Sequence, residues 1–214
     1  CLVGSEMCIR DSLVGSDSYI FDDFTKKQLD TFTRVAAELE AGLEYKVIKH
    51  ILNSAGIERF TDYQMDMVRL GIGLYGVSAS GQKGLRNIST LKTTILQIQN
   101  VPAGDSIGYS RMSYVKRDSR IAIIPIGYAD GLDRHFSNGG GEVVINGHRC
   151  PIIGNICMDA CMIDVTDTDA HEGDSVIIFG EELPVSELSD KLKTIPYEIL
   201  TSISPRVKRV YYRE

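Results

Sequence analysis

The chain has no apolar run of the ~20 residues that a membrane-spanning helix requires, so a helical membrane protein is excluded. It also has no excess of basic residues: the formal net charge is −6, and lysines and arginines are scattered. A nucleic-acid-binding protein would show a basic stripe, so neither a nucleic acid nor a membrane is expected as a partner. The hydrophobic fraction of 43% and charged fraction of 24% are typical of a soluble globular protein, and 214 residues suffice for one large or two small domains.

A complete set of zinc ligands is missing as well. Three residues separate Cys157 from Cys161, but no second pair of cysteines or histidines lies nearby. Cys150, Cys157 and Cys161 fall in or beside apolar, strand-like runs, where buried free thiols are expected. Reduced thiols and the lack of a signal peptide predict a cytoplasmic protein, and we expect no metal site.

The first twelve residues have neither a helical nor an alternating apolar pattern. The run from Ser5 to Ser12 resembles translated adapter sequence at the ends of genes assembled from environmental DNA. We interpret residues 1–12 as a non-native leader, and Cys1 and Cys8 therefore receive no functional role. On this interpretation the chain is a fragment of a protein that extends further upstream.

The segment after this leader shows the rhythm of a parallel α/β sheet. A helix is predicted from Thr25, as its N-cap, to Ala41, because apolar residues recur on one face and Gly42 follows. The next predicted elements are a strand, a loop, a short helix and a strand: Tyr45–Ile51, Asn53–Ser54, the neighbourhood of Gln64, and Met67–Leu70. We assign residues 13–80 to this α/β part.

A small and polar stretch, Ser78–Gly84, fits a linker, and many short strands follow it. Asn146–Gly147 predicts a tight hairpin because both positions tolerate positive φ. One helix is predicted over Ser186–Leu192. The predicted strands are Leu91–Val101, Arg120–Ile126, Glu142–Ile145, Met162–Val165, Ser175–Phe179 and, at an edge, Arg206–Tyr212. Residues 86–214 are therefore expected to form a mostly antiparallel β domain.

The most informative segment is Met67–Gly76, in which Arg69 ends a short apolar run and three glycines follow. Glycines allow a backbone to approach a ligand closely, and the arginine supplies a permanent charge. A buried strand with a salt-bridged arginine explains this segment equally well by itself. Five further motifs accompany it: His50–Gly56, Gly108–Tyr109, Ile126–Gly131, Gly154–Asp159 and Ile195–Ile199.

In this order the motifs resemble those of the pyridoxal-phosphate-dependent alanine racemase family, from about Leu13 to Glu214. The resemblance implies the C-terminal part of a (β/α)8 barrel, up to about Gly76, followed by the β domain. Such an incomplete barrel would leave open sheet edges. The implied function is the interconversion of L- and D-alanine for peptidoglycan precursors, with pyridoxal 5'-phosphate as cofactor and alanine as substrate.

The resemblance also assigns the residues that would bind the cofactor phosphate. Ser54 and the backbone of Gly71 and Ile72 match the family's phosphate-binding positions, and Tyr197 matches its phosphate-binding tyrosine. Barrel phosphate sites commonly lie in the loops after the last two strands, where N–H groups converge. From the residues alone, a turn former is the favoured interpretation of Ser54, and a half-buried packing residue that of Tyr197.

Arg69 resembles the family's arginine that faces the pyridine nitrogen, and His50 the histidine that hydrogen-bonds this arginine. Because an arginine pKa lies above about 12, Arg69 would leave the ring nitrogen unprotonated. This suits a reaction that returns its proton quickly. From the sequence alone, a core histidine is the favoured interpretation of His50.

Racemisation needs a base on each face of the α-carbon, and the resemblance names Tyr109 as the catalytic tyrosine on one face. A phenol has an ordinary pKa near 10, so it needs positive neighbours or strong hydrogen bonds to work near neutral pH. Met158 matches a substrate-contacting position, and Tyr128 a tyrosine that lines the entrance. Because the family's β domain completes the site of a partner chain, a homodimer with shared active sites is implied.

Two positions depart from the family pattern. The family's Schiff-base lysine lies near the start of the barrel, and Lys46 and Lys49, on a later predicted strand, do not occupy that motif. Ser12 stands where the family usually has a cofactor-contacting histidine. The fragment alone is therefore expected to be inactive.

Other functions remain open from the sequence. They are a racemase of broader substrate choice, a decarboxylase of the same architecture, and a non-enzymatic β module that binds a protein. A decarboxylase would be expected to use a cysteine and an aspartate, which Cys157 and Asp159 superficially offer, although the flanking residues follow the racemase pattern.

Overall fold

The structure is a computed structural model that describes residues 2–3, 6–81 and 84–212. Its internal contacts divide the chain into two compact units, Cys1–Arg86 and Asn87–Glu214. Each unit has its own sheet and its own buried apolar residues.

The first unit contains a three-stranded sheet made of β1 (Leu2–Val3), β2 (Glu6–Arg10) and β3 (Ile48–His50), in that order. β1 and β2 are antiparallel, whereas β2 and β3 are parallel. α1 (Asp22–Ala41) connects the two parallel strands, and α2 (Ser54–Arg59) follows β3. The α/β character predicted for this half is thereby confirmed. The strand β2 was not predicted, and the origin of residues 1–12 stays a prediction.

α1 ends at Ala41 before Gly42, as predicted, but it begins at Asp22, so the prediction that Thr25 is the N-cap was wrong. Thr25 is instead buried inside the helix. Asp22 and Asp23 in the first turn favour this earlier start, because acidic side chains stabilise the positive end of the helix dipole. The core of this unit joins α1 to the residues that follow β3, and its buried members are Leu13, Leu29, Phe32, Ala36, Ile51 and Leu52.

The predicted strand over Met67–Leu70 was wrong, because these residues form no ladder. Isolated hydrogen bonds join this part of the chain to β3 and the residues after it: Asp66 N–H donates to the Lys49 carbonyl at 3.2 Å, and Arg69 N–H donates to the Leu52 carbonyl at 3.0 Å. The loop predicted at Asn53–Ser54 instead starts α2, where the Asn53 side chain accepts from the Gly56 N–H at 2.9 Å. With six residues, α2 is too short to show a helical period.

The second unit contains a seven-stranded sheet in which all paired strands are antiparallel. The prediction of a mostly antiparallel β domain is therefore confirmed. Its strands are β4 (Leu91–Thr94), β5 (Gln97–Val101), β8 (Ser119–Ile124), β9 (Glu142–Ile145), β10 (His148–Ile153), β11 (Cys161–Asp164) and β12 (Ser175–Phe179). They lie in the order β4-β12-β9-β10-β11-β8-β5. Two short strands, β6 (Ser106–Ile107) and β7 (Ser113–Tyr114), pair separately, and α3 (Val185–Leu192) and α4 (Pro196–Ser202) follow the sheet.

The strand predicted over Leu91–Val101 is two strands, β4 and β5, at opposite edges of this sheet. The break lies at Ile95 and Leu96. Ile95 N–H donates to the Asp174 carbonyl, next to β12, whereas Leu96 N–H donates to the Ile123 carbonyl of β8. Because only two residues join the edge strands, the sheet is curled so that its two edges come together at this corner.

The hairpin at Asn146–Gly147 is confirmed, with φ of 49° and 77°, and it joins β9 to β10. β10 was not predicted, because Pro151 interrupts its pattern and prolines are rare in central strands. The edge strand predicted over Arg206–Tyr212 was wrong: this segment forms a turn in which Val207 N–H donates to the Ser204 carbonyl. Among the described residues, no helix is long and apolar enough to cross a membrane.

Candidate cofactor and catalytic sites

The Arg69 guanidinium lies across the carboxyl ends of the two parallel strands. Its Nη2 donates to the carbonyl of Asp11, just after β2, at 2.6 Å and to that of Ile51, just after β3, at 3.2 Å. Its Nη1 donates to the His50 carbonyl at 3.3 Å and lies 2.6 Å from His50 Nδ1. In α/β barrels this end of the strands carries the active site. The structure thus brings Arg69 and His50 together where a ligand is expected.

His50 is buried, with 2% of its surface exposed, and because its pKa is lowered the neutral imidazole predominates at pH 7. Burial lowers the pKa of its imidazole, and the nearby charges of Arg69 and Arg10 lower it further. Since arginine can only donate, Nδ1 accepts from Arg69 and the ring proton is assigned to Nε2. Nε2 is buried and has no hydrogen-bond partner among the described residues.

Lowering the pH from 7.5 to 5.5 is expected to destabilise the chain through His50, by at most about 1.4 kcal/mol. Its pKa in the folded state lies below the ordinary 6.5, so the unfolded state binds the proton first and the free energy of unfolding falls as the pH drops below 6.5. The pKa values of Asp66 and Glu58 are also lowered in the folded chain, from ordinary values of 3.8 and 4.5. The stability that these two carboxylates contribute is therefore lost only below this pH range. Urea unfolding at both pH values measures the effect.

His50→Asn should remove this pH dependence, because asparagine offers an oxygen to Arg69 but does not titrate in this range. The matched control is His148→Asn at an exposed position, which should keep it. An unchanged pH dependence in His50→Asn would contradict the assignment.

A second set of contacts in this unit joins residues that are predicted to bind the cofactor phosphate. Ser54 Oγ accepts from Gly71 N–H at 2.9 Å and from Gly73 N–H at 3.4 Å. A Cβ built on Gly73 would lie 2.9 Å from Leu70 Cδ1 and 3.9 Å from Ser54 Oγ, so a side chain there would narrow the space beside the hydroxyl. Two of the predicted phosphate ligands, Ser54 and Gly71, are therefore in contact, and Ile72 directly follows Gly71. Tyr197, the fourth predicted phosphate ligand, belongs to the second unit and lies in α4.

Tyr128 and Met158 lie on two loops of the second unit that touch along their backbones. Tyr128 N–H donates to the Cys157 carbonyl at 3.1 Å, and Ala129 N–H donates to the Met158 carbonyl at 3.0 Å. Gly127 makes this approach possible: a Cβ there would lie 2.3 Å from the Cys157 oxygen and 2.4 Å from the Met158 oxygen. The side chains of both predicted substrate residues are exposed.

Tyr109 begins a short turn after Gly108, whose φ is 73°, and its side chain is 75% exposed. Its carbonyl accepts from Asn155 Nδ2 at 3.3 Å, and Asn155 Oδ1 accepts from Asn138 Nδ2 at 3.1 Å. Because Asn155 belongs to the loop that carries Met158, this loop contacts the Tyr109 segment on one side and the Tyr128 loop on the other. Sequence reasoning missed both asparagines; the dipeptide Asn138–Gly139, with Asn138 at φ 56°, was the available signal.

The cysteines of the β domain are structural where they are buried. Burial raises the pKa of Cys150 to about 11 and that of Cys161 to about 12, so both remain protonated thiols near neutral pH. Cys157 is only half-buried, and its Sγ donates to the Asn155 carbonyl. The described part of the chain contains no group of three His, Cys, Asp or Glu side chains that could hold a metal ion.

Two family models match nearly the whole chain. Residues 13–79 match the N-terminal domain of alanine racemase, and residues 88–211 match its C-terminal domain. The chain belongs to the alanine racemase family. The resemblance seen in the sequence motifs is thereby confirmed.

Curated members of the alanine racemase family are similar over most of this chain. Alanine racemase 1 of Caldanaerobacter subterraneus subsp. tengcongensis is 42% identical over 199 residues, which cover 89% of this chain and 51% of the relative. The alanine racemase of Clostridium tetani is 40% identical over 202 residues, covering 89% of this chain and 52% of the relative. The chain therefore spans about half the length of the curated relatives it matches.

Solved alanine racemase structures share the fold. The enzyme of Bartonella henselae, with covalently bound pyridoxal phosphate, is 37% identical with a TM-score of 0.86, covering 95% of this chain and 56% of that one. The enzyme of Bacillus anthracis with bound L-Ala-P is 32% identical with a TM-score of 0.88, covering 96% of this chain and 55% of that one. The predicted fold class, the end of the barrel followed by a β domain, is confirmed.

Within this racemase-family chain, the structure brings together three sets of predicted residues. Arg69 contacts His50, and Ser54 contacts the backbone of Gly71 next to Ile72. Tyr128 and Met158 lie on adjoining loops. The roles of these residues toward cofactor and substrate stay predictions.

Proposed function

We propose that this chain is part of an alanine racemase that interconverts L- and D-alanine with pyridoxal 5'-phosphate and supplies D-alanine for peptidoglycan. The observation that carries the proposal is the contact between Arg69 and a neutral His50 at the strand ends of a chain of this family. Within it, residues 13–80 would be the end of the cofactor barrel and residues 86–214 the β domain. A cytoplasmic location is part of the same proposal.

The residues present fit the cofactor. Ser54 and the N–H groups of Gly71 and Ile72 would hold its phosphate, and Tyr197 stays a predicted ligand from the family resemblance. Arg69 would face the pyridine nitrogen and keep its own proton, because its guanidinium already donates to the carbonyls of Asp11, His50 and Ile51. When bound, pyridoxal phosphate withdraws electrons from the α-carbon and makes its proton acidic.

The β domain would supply the groups on the substrate side. Tyr109, as its phenolate, would take the α-proton from one enantiomer, and the phenol formed would return a proton to the same face in the reverse direction. A lysine, expected upstream from the family pattern, would serve the opposite face. Met158 would contact the substrate through its backbone, and Tyr128 would line the entrance. The strong exposure of Tyr109 supports a homodimer in which a partner chain completes the site.

The alternative functions lack such support. In a decarboxylase, Asp159 would have to be available to the substrate, but its Oδ1 accepts a hydrogen bond from Arg206 Nη2 at 2.5 Å. The thiol of Cys157 is likewise engaged with the Asn155 carbonyl. Both halves of the chain match racemase domains, which disfavours a binding module.

A chimera tests the proposal: the upstream half of the Caldanaerobacter racemase 1 joined to residues 13–214 of this chain. With pyridoxal phosphate, the chimera should convert L-alanine to D-alanine and show the absorbance of bound cofactor. The chain alone and the upstream half alone, measured by chiral chromatography, should show no turnover. Turnover by the chain alone would refute the expected need for an upstream lysine. A preference for lysine, arginine or serine would establish a broader racemase instead.

A further inference from the structure

Three segments of the second unit meet at the Arg206 side chain. Its Nε donates to Asp130 Oδ1 at 2.7 Å, and its Nη2 donates to Asp159 Oδ1 at 2.5 Å. Asp130 is mostly buried, with 13% of its side chain exposed, whereas Arg206 is 46% exposed. One guanidinium therefore joins two carboxylates from different loops.

The two carboxylates belong to the loops that carry Tyr128 and Met158. Asp130 Oδ2 accepts from Gly127 N–H at 2.9 Å, so this side chain closes the turn that contains Tyr128. Asp159 directly follows Met158 in the sequence. Burial works to raise the pKa of Asp130, but the hydrogen bonds from Arg206 and Gly127 N–H outweigh it and hold the pKa below its usual value.

The segment that carries Arg206 is itself fixed against the Tyr128 loop. Ser204 N–H donates to the Asp130 carbonyl at 3.0 Å. Gly131 has a φ of 108° and lies close to the backbone of Ser202. A Cβ on residue 131 would lie only 2.6 Å from the Ser202 carbonyl oxygen. These backbone contacts fix the position from which the guanidinium reaches both carboxylates. Its planar group of donors can bind both at once, whereas a lysine ammonium is a single compact charge.

We propose that Arg206 is a positioning residue for the substrate, which sets the spacing of the Tyr128 and Met158 loops without touching alanine. The proposal rests on the proposed racemase function. Without the guanidinium, the charges of Asp130 and Asp159 would no longer be neutralised, and their repulsion would weaken the two backbone hydrogen bonds that join the loops. Met158 would then present its backbone to the substrate less accurately.

Kinetics of the chimeric racemase test this role. Arg206→Met should raise KM for alanine about tenfold and change kcat less than threefold, because it disturbs substrate placement while Tyr109 stays intact. Arg206→Lys should give an intermediate KM. The matched control is Arg149→Met: Arg149 is 42% exposed and also faces two carboxylates, Glu187 at 2.6 Å and Glu142 at 3.9 Å, and its loss should leave KM unchanged.

Amide hydrogen exchange gives a second readout, which does not require activity. In the chain itself, Arg206→Met should speed exchange at the Tyr128 and Ala129 N–H groups about tenfold, and Arg149→Met should not. Unchanged exchange and KM in Arg206→Met, or an equal increase in exchange in Arg149→Met, would overturn the proposal.

A second variant is available if Arg206→Met does not fold. Asp159→Asn removes one of the two ion pairs and should raise KM and the exchange rates in the same direction, but by less. An inactive unsubstituted chimera would count against the racemase function, while exchange would still decide the role of Arg206.

Discussion

Replacing Tyr109 by phenylalanine is expected to lower alanine racemisation by the chimeric enzyme about a thousandfold, because a positioned acid or base contributes 10²–10⁴ to such rates. The substitution removes only the phenol oxygen. Since the side chain is 75% exposed, the folding of the β domain does not depend on this oxygen. Rates measured in both directions by chiral chromatography give the loss.

The control is Tyr114→Phe, which removes a phenol oxygen from an exposed tyrosine on the neighbouring strand β7 and should leave the rate unchanged. In deuterated water, Tyr109→Phe should still exchange the α-proton of one enantiomer, because the base on the other face remains. Activity within tenfold of the unsubstituted chimera, or loss of exchange for both enantiomers, would exclude Tyr109 as a one-face base.

Replacing Gly127 by alanine is expected to reduce the free energy of unfolding by about 3 kcal/mol, at the upper end of the cost of overpacking. The new Cβ would meet the Cys157 and Met158 oxygens at 2.3 and 2.4 Å. Both are backbone atoms, and the hydrogen bonds from Tyr128 and Ala129 hold them in place. The clash therefore cannot be relieved by rotating a side chain.

Urea unfolding of the chain measures this cost, and Gly42→Ala is its control. Gly42 has a φ of −91°, and a Cβ there would have its nearest neighbour, the Leu39 carbonyl oxygen, at 3.6 Å. This substitution should change stability by less than about 0.5 kcal/mol. Equal midpoints for the two variants would show that the two loops do not need their close approach.

The sequence predicted those parts of the fold in which periodicity and turn chemistry agree. The bounds of β9 and β12 were correct because apolar runs end at clear turn residues such as Asn146–Gly147. The corner between β4 and β5 could not be predicted, since Ile95 and Leu96 are both apolar and no glycine or proline marks the break. α4 was missed because its seven residues are too few to show a period.

Of the candidate site, the sequence could name residues but few of their contacts. The pairing of Arg69 with His50 followed from the family resemblance, and the structure places the two side chains in contact. The contacts of Asn155 and Arg206 were not predicted, because each side chain hydrogen-bonds a residue that is distant in the sequence. Asn155 lies 46 residues from Tyr109, and Arg206 lies 76 residues from Asp130. Local patterns carry no information about such pairs.

The placement of β4 and β5 at opposite edges has a consequence for synthesis on the ribosome. β4 leaves the exit tunnel before the other strands of its sheet, yet its ladder partner, β12, is the last of them to emerge. β5 can pair earlier, because its partner β8 is translated soon after it. A nascent chain must therefore hold β4 unpaired until the C-terminal part has been translated, which favours late closure of the sheet and makes chaperone binding at β4 useful during elongation.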